Sequence, residues 1–292
     1  MNLKSWLLAT RPKTLPIACI PILVGTLLAF NAEGRVNGVL VFCATLFALC
    51  IQVGTNLVND ALDFEKGSDT AERLGPQRMS QARLLSSNQV LKGGLFFFGL
   101  AVLGGMPLVV AGGLPLLALM LLSVFFGYIY TGGPWPLAYH GLGELFVFIF
   151  YGPVSICAVY YLQTGYIDLP SLVAGIQIGL LACVPIAINN LRDIQSDQKA
   201  NKRTLAVRWG PQIARAEITF FILFPYLIGC YWMMKGNPLM GLCPLATLPL
   251  AFRNTTLIWH IEPSSQYNRF LAKSVLTMAL FSISLLMGLY AY

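Results

Sequence analysis

Apolar stretches long enough to cross a lipid bilayer recur along the whole chain, and no other feature restricts its fold so severely. A helix spans the hydrocarbon core with about 20 residues. Runs near that length stand at Leu15–Phe30, Gly38–Leu57, Leu91–Val110, Leu114–Tyr130, Leu145–Leu162, Leu172–Ile188, Ile218–Met234, Leu239–Ile258 and Leu271–Tyr290. Inside lipid each backbone polar group must be satisfied within its own segment, which makes helices the solution for such runs. Composition agrees: 57% hydrophobic and 11% charged residues leave too little charge to coat a water-facing surface, for which about a quarter is usual. The expectation is an all-α integral membrane protein of nine transmembrane helices. It forms one polytopic domain, residues 1–292, with membrane lipid as its surroundings.

Charge gives the orientation. With a cytoplasmic N-terminus, 17 of the 19 Lys and Arg residues fall in cytoplasmic segments, and only Arg35 and Lys235 lie outside. A wrong number of spans would scramble that alternation, so the asymmetry supports the count and the orientation together. The net charge of +7 then reads as loops facing anionic lipid, not as a nucleic-acid surface. Lys4, Arg11 and Lys13 before Leu15–Phe30 resemble a signal peptide. A removable signal precedes a soluble chain, whereas here more apolar runs follow, so Leu15–Phe30 is the first span. The seven cysteines all lie in apolar runs without a CxxC pair and read as small packing residues.

The acids also keep to the cytoplasmic side: of twelve, only Glu33 and Asp168 lie outside. Positive-inside insertion does not demand that of carboxylates. They gather in two stretches, Asn56–Asp69 and Asn189–Asp197. Asn56, Asn59, Asp60 and Asp63 have offsets of 0, 3, 4 and 7, one face of a helix that continues the second span, and Asp69 can fold back from the loop. Asn189, Asp193 and Asp197 repeat the spacing at the end of the sixth span. Like charges at i,i+4 repel, and a membrane boundary adds desolvation. A hard cation relieves both. Oxygen ligands of this kind suit Mg²⁺, which commonly bridges to substrate phosphates. Arg73 and Arg78 behind the first stretch, and Lys199, Lys202 and Arg203 behind the second, suit the remaining phosphate oxygens. The chemistry predicted is ionisation of an allylic diphosphate, with Mg²⁺ and Lys/Arg stabilising the departing group.

The pair Asn59-Asp60-Ala61-Leu62-Asp63 and Asp193 to Asp197, in a chain of nine spans, resembles the UbiA superfamily of intramembrane aromatic prenyltransferases. RPKTLP at Arg11–Pro16, the run from Asn59 through Asp69 to RLGPQR at Arg73–Arg78, the stretch Tyr128–Pro153 with its GELFVF, and NNLRDIQSDQKANKRTLAVRWG from Asn189 resemble one branch. That branch is the 1,4-dihydroxy-2-naphthoate polyprenyltransferases of menaquinone synthesis. The resemblance implies a helix bundle around a central cavity in the bacterial inner membrane. It implies polyprenyl diphosphate and an aromatic acid as substrates, Mg²⁺ as cofactor, and a prenylated quinol, CO₂ and diphosphate as products. Carried over by position, Asn59, Asp60, Asp63, Asp69, Asp193 and Asp197 hold metal, with Asp63 and Asp193 catalytic. Asn56, Asn59, Arg73, Arg78, Asn190, Lys202 and Arg203 bind substrate. Gly67 stands where the hydroxybenzoate-type enzymes have a further Asp, which favours the naphthoate branch. The lysine of that family's loop after the fourth span is replaced by uncharged TGGPWP; Arg11, Lys13 or Arg78 can supply its contact. Asn201 replaces a Gly of the second motif, and Asn tolerates positive φ.

Smaller signals have two readings each. His140 is an acceptor-ring contact or an interface residue, with Glu144 four residues on either in the same role or complementing a helix N-terminus. Tyr128 and Tyr139 flank the GGP loop and are ring-pocket candidates, although interfacial aromatics are usually anchors. Another aromatic acceptor, such as 1,4-dihydroxy-6-naphthoate or 4-hydroxybenzoate, is the alternative within the same fold. A cation transporter is the alternative outside it, and would place charge at mid-membrane, where this chain has almost none.

Overall fold

A computed structural model describes residues 3–70 and 73–291. It is all-helical, with no strand among the described residues. Twelve α-helices follow one another: α1 Leu3–Ala9, α2 Pro16–Glu33, α3 Gly38–Glu65, α4 Ser87–Ile129, α5 Gly143–Ile149, α6 Ser155–Thr164, α7 Leu169–Arg192, α8 Ile194–Lys199, α9 Leu205–Met234, α10 Pro238–Leu242, α11 Leu248–His260 and α12 Tyr267–Tyr290. Seven helical segments are long and apolar enough to cross a membrane, the α5–α6 pair counting as one. With this many apolar spans, the protein is a multi-pass membrane protein.

Two expected spans differ from the others in form. The third and fourth merge into the 43 residues of α4, and Gly113 inside it has φ 67° and ψ −155°. A straight helix of that length would reach about 65 Å, twice a bilayer core; the chain breaks instead at a residue free to take positive φ. The eighth is divided into α10, a 3₁₀ turn over Cys243–Thr247 and α11, because Pro244 and Pro249 each remove a backbone donor. The helix of the second span continues beyond Leu57, as expected. α3 continues to Glu65, so Asn56 to Asp63 are helical.

Helix ends are set by local chemistry. Asn37 accepts from the amides of Val39 and Leu40 to start α3. Ser86 and Gln89 form a reciprocal capping box at α4. Asp168 and Thr204 cap α7 and α9. Between spans, small residues allow backbones to approach, as expected where lipid removes the hydrophobic drive. A Cβ on Gly152 would lie 2.4 Å from the Gly175 carbonyl oxygen, which locks the π-helical bend between α5 and α6 against α7. α7 is the most enclosed span, and its residues Ile178, Leu181 and Ile188 centre the main apolar core.

The candidate active site

A cavity of about 300 Å³ opens between α2, α3, α4, α5–α6 and α7, and both acidic stretches line one end of it. On α3 its wall runs from Asp63 to Ala44, about 28 Å at the helical rise. The charged end presents Asp63, Asp193 and Asp197 together with Arg11, Arg73, Arg78 and Lys202. Beyond Asn56 and Asn59 the wall turns apolar, through Ile51, Phe47, Leu108 and Leu162. Gln52 and Tyr151, hydrogen-bonded to each other, are a polar pair between the two ends.

On α3, Asn56, Asn59 and Asp63 line this cavity. Asn56 donates to the Thr10 carbonyl (3.1 Å), which holds the N-terminal segment on the site. Asp63 accepts from the Tyr139 hydroxyl (2.9 Å) and lies 3.8 Å from the Arg78 guanidinium. Asp60 does something different from the metal ligation expected of it. Its Oδ2 and Oδ1 accept from the backbone amides of Met79 and Ser80, both at 3.0 Å, and it is fully buried away from the cavity wall. The 56/59/60/63 face is thus divided: three residues face the cavity, and Asp60 fastens the loop that brings Arg73 and Arg78 over it.

Asp69 folds back as expected, buried beside Arg73 and 3.2 Å from Arg78 Nε. Arg73 also reaches within 4.0 Å of Asp193 and so joins the two acidic stretches. Burial pushes the Asp69 carboxyl up to about 6, against the opposing pull of Arg73. Asp197 is likewise raised by burial to about 6, and Lys202 lies 3.7 Å away. Burial would raise Asp193 too, but the Arg192 guanidinium overrides it and holds the carboxyl below its usual range. Arg192 grips both Asp193 oxygens, Nε at 2.8 Å and Nη2 at 2.6 Å. Its remaining Nη1 donates to Asn268 on α12 (2.6 Å), whose amide donates to the Leu74 carbonyl (3.0 Å).

The residues flanking the GGP loop separate. Tyr139 belongs to the site: its hydroxyl holds Asp63, and Lys66 and Lys202 lie over its ring at 4.8 and 5.5 Å. Tyr128 packs against Gly132 and does not line the cavity. His140 and Arg203 lie in a separate outer depression with Arg208; the His140 ring packs tilted against Trp135 and its Nδ1 is paired with the Pro136 carbonyl. Neither reaches the acids, because the Tyr139 ring stands in between. Asn190 lines the cavity, and so does its neighbour Asn189. Of the candidates for the missing lysine, Arg11 and Arg78 line the cavity and Lys13 does not. Arg11 bends inward at φ 54°. Asn201 takes φ 55°, the turn expected in place of glycine. Two partners, Arg192 and Asn268, escaped sequence reading; Glu144 sits in the first turn of α5, as its helix-start reading expects, and its tie to Asn190, whose amide donates to it, was not legible.

Among the described residues no three His, Cys, Asp or Glu side chains converge on one point as a ready metal cage. The donor set nevertheless suits a hard cation shared with a ligand. Among the described residues Asn59 Oδ1 and Asp197 Oδ2 are buried oxygens without a hydrogen-bond partner, and Arg11 Nη2 and Arg78 Nη1 are buried donors in the same condition. Buried polar atoms left unpaired are costly, and oxygens and cations left so at one place fit a metal–oxyanion pair better than either alone.

The model of the UbiA prenyltransferase family matches residues 18–291. This chain belongs to that family. It is 35% identical to a 1,4-dihydroxy-2-naphthoate octaprenyltransferase of Haemophilus influenzae, over 98% of this chain and 97% of the relative. It is also 35% identical to the enzyme of that name from Bacillus subtilis, over 78% and 74%. The fold of a UbiA homolog from Archaeoglobus fulgidus bound to DMAPP and Mg2+ matches with a TM-score of 0.63 over 96% of this chain and 99% of that one, at 16% identity. As a UbiA-family member with these relatives, the chain is an aromatic prenyltransferase.

Proposed function

We propose that the chain transfers a polyprenyl group from polyprenyl diphosphate to 1,4-dihydroxy-2-naphthoate, releasing CO₂ and diphosphate and giving demethylmenaquinone. One observation carries this reading: a cavity charged at one end and mainly apolar over the rest of its length. Diphosphate needs the first part and an isoprenoid chain the second. The relatives' names supply the acceptor.

In this reading Mg²⁺ is held by Asp63, Asp69, Asp193, Asp197 and Asn59, where it supplies charge neutralisation of the diphosphate. Asp60 is left out, since its oxygens hold the loop. Arg11, Arg73, Arg78 and Lys202 bind the departing oxygens, a role in which preorganised cations in a water-poor cavity act strongly. The present pairing of Arg73 and Arg78 with Asp69, of Arg73 with Asp193 and of Lys202 with Asp197 keeps these charges compensated until substrate arrives. Tyr139 orients Asp63. Apolar walls keep water from the allylic cation. Attack from the carboxyl-bearing ring carbon makes CO₂ the leaving electrophile, so that no base is needed to remove a ring proton there.

Nine crossings follow when the arms of α4 are counted apart at Gly113 and the broken 238–260 segment counts as one. Together with the charge asymmetry, that count supports the reading in which the N-terminus and both acidic stretches face the cytoplasm from a bacterial inner membrane, in one domain.

The test is an acceptor panel: detergent-purified protein, Mg²⁺, a polyprenyl diphosphate and, separately, 1,4-dihydroxy-2-naphthoate, its 6-carboxy isomer and 4-hydroxybenzoate. Prenylated quinol and ¹⁴CO₂ from the carboxyl-labelled first acid are expected. Product with another acid alone would overturn the acceptor and leave the prenyl transfer standing.

A further inference from the structure

Asn190 stands in the cavity wall beside Asp193, and its side-chain orientation is dictated from behind. Its Nδ2 donates to Glu144 Oε1 at 2.5 Å. Glu144 is 3% exposed, at the start of α5, and does not line the cavity. Its segment is tied to α7 a second time, where the Cys183 thiol donates to the Glu144 carbonyl (3.2 Å). The other carboxylate oxygen, Oε2, is buried without a hydrogen-bond partner among the described residues. A buried carboxylate half-satisfied in this way is costly, and an apolar side chain would fill the position without that cost.

An ionised carboxylate only accepts, while an amide both donates and accepts. Glu144 therefore holds the nitrogen of Asn190 towards itself and leaves Oδ1 for the cavity. Freed from Glu144, the amide could turn and offer its NH₂ group to a phosphate oxygen instead. The two orientations have opposite chemistry: an exposed carbonyl oxygen suits a hard cation, an exposed NH₂ suits an anion.

We propose that Glu144 is a positioning residue that fixes the Asn190 amide with its carbonyl oxygen towards the second acidic stretch, adding a neutral oxygen ligand for the divalent cation there. This rests on the metal reading above. Groups behind metal ligands typically change affinity by about 10- to 100-fold when removed.

The experiment measures the rise in unfolding temperature that Mn²⁺ produces in detergent with inorganic diphosphate present, where nothing turns over, alongside the Mg²⁺ concentration for half-maximal rate. Glu144→Leu should require about tenfold more of either ion. Glu144→Leu/Asn190→Asp should recover most of that loss, because a carboxylate at 190 presents oxygen whichever way it turns. Asn190→Asp alone should be worse than the double variant, since it faces the Glu144 carboxylate. If the leucine variant does not purify, Glu144→Met with and without Asn190→Asp makes the same comparison, since methionine removes the acceptor as leucine does. An unchanged ion requirement in Glu144→Leu, or no recovery in the double variant, overturns the proposal. A wild-type protein indifferent to Mn²⁺ overturns the metal reading itself, a result separable from either.

Discussion

The two acidic stretches look alike in the sequence and both are tied to distant segments, the first through Asp63 to Tyr139 and Asn56 to Thr10, but they differ in how much their own loops add. The first is fastened by its own loop: Asp60 to the amides of Met79 and Ser80, Asp69 to Arg73 and Arg78. Every one of these partners lies within 20 residues. The second is fastened from afar, with Asn190 tied to Glu144 on α5 and Arg192 to Asn268 on α12, 46 and 76 residues away. The loop clasp of the first stretch can form within a short segment, whereas the ties to Thr10, Tyr139, Glu144 and Asn268 wait for the bundle to assemble.

The hardest test of the symmetry is to neutralise one carboxylate on each side. Asp63→Asn and Asp193→Asn should each lower turnover by about 10²–10³-fold, the scale on which single preorganised charges act, with folded protein retained by gel filtration. If only one of them matters, the two stretches do not share a metal–diphosphate site. Arg192→Lys comes next. A lysine cannot grip both oxygens of Asp193 and reach Asn268 as well, so kcat should fall about tenfold with the acceptor KM little moved. Normal turnover would dissociate the remote clasp from the chemistry.

Asp60→Ala separates fastening from ligation. Leaving two buried amides unpaired costs about 1–3 kcal/mol each, so the unfolding temperature should drop and trypsin should cut the 66–86 loop faster, while the Mg²⁺ requirement of the folded protein holds. A raised Mg²⁺ requirement instead would return Asp60 to the metal. The smallest effect is expected from Asp197→Asn. Folding raises the Asp197 carboxyl to about 6, so the folded state binds more protons than the unfolded one just below that value. Stability of the metal-free protein should then fall as pH rises through about 6. In EDTA at pH 7 the asparagine variant should unfold at the same or a higher temperature than wild type, yet lose the stabilisation that Mg²⁺ and diphosphate confer. A lower temperature in EDTA would mean that Asp197 supports the fold through Lys202.

What could be read in advance follows the same division. Span positions, the Asp63, Asp193 and Asp197 carboxylates and the turn at Asn201 are written in hydropathy, spacing and turn chemistry, all local signals. Asp60 shows the limit of spacing: positions 56, 59, 60 and 63 share a helical face, but a stripe some 100° wide borders both the cavity and a loop. His140 and Arg203 sit a few residues from true cavity residues in the sequence and behind the Tyr139 ring in space. Arg192, Glu144 and Asn268 act across 46 to 76 residues, where one sequence carries no trace of who faces whom.

Asn268 is on α12, the last helix, and its side chain bridges Arg192 to Leu74 in the loop after α3. The final span therefore closes a bridge whose other two supports lie earlier in the chain. During synthesis, the spans up to α9 can enter the bilayer with both acidic stretches present and joined only by the Arg73–Asp193 contact. In the reading proposed above, a growing chain would hold an incomplete site, and its full grip on a diphosphate would come with α12.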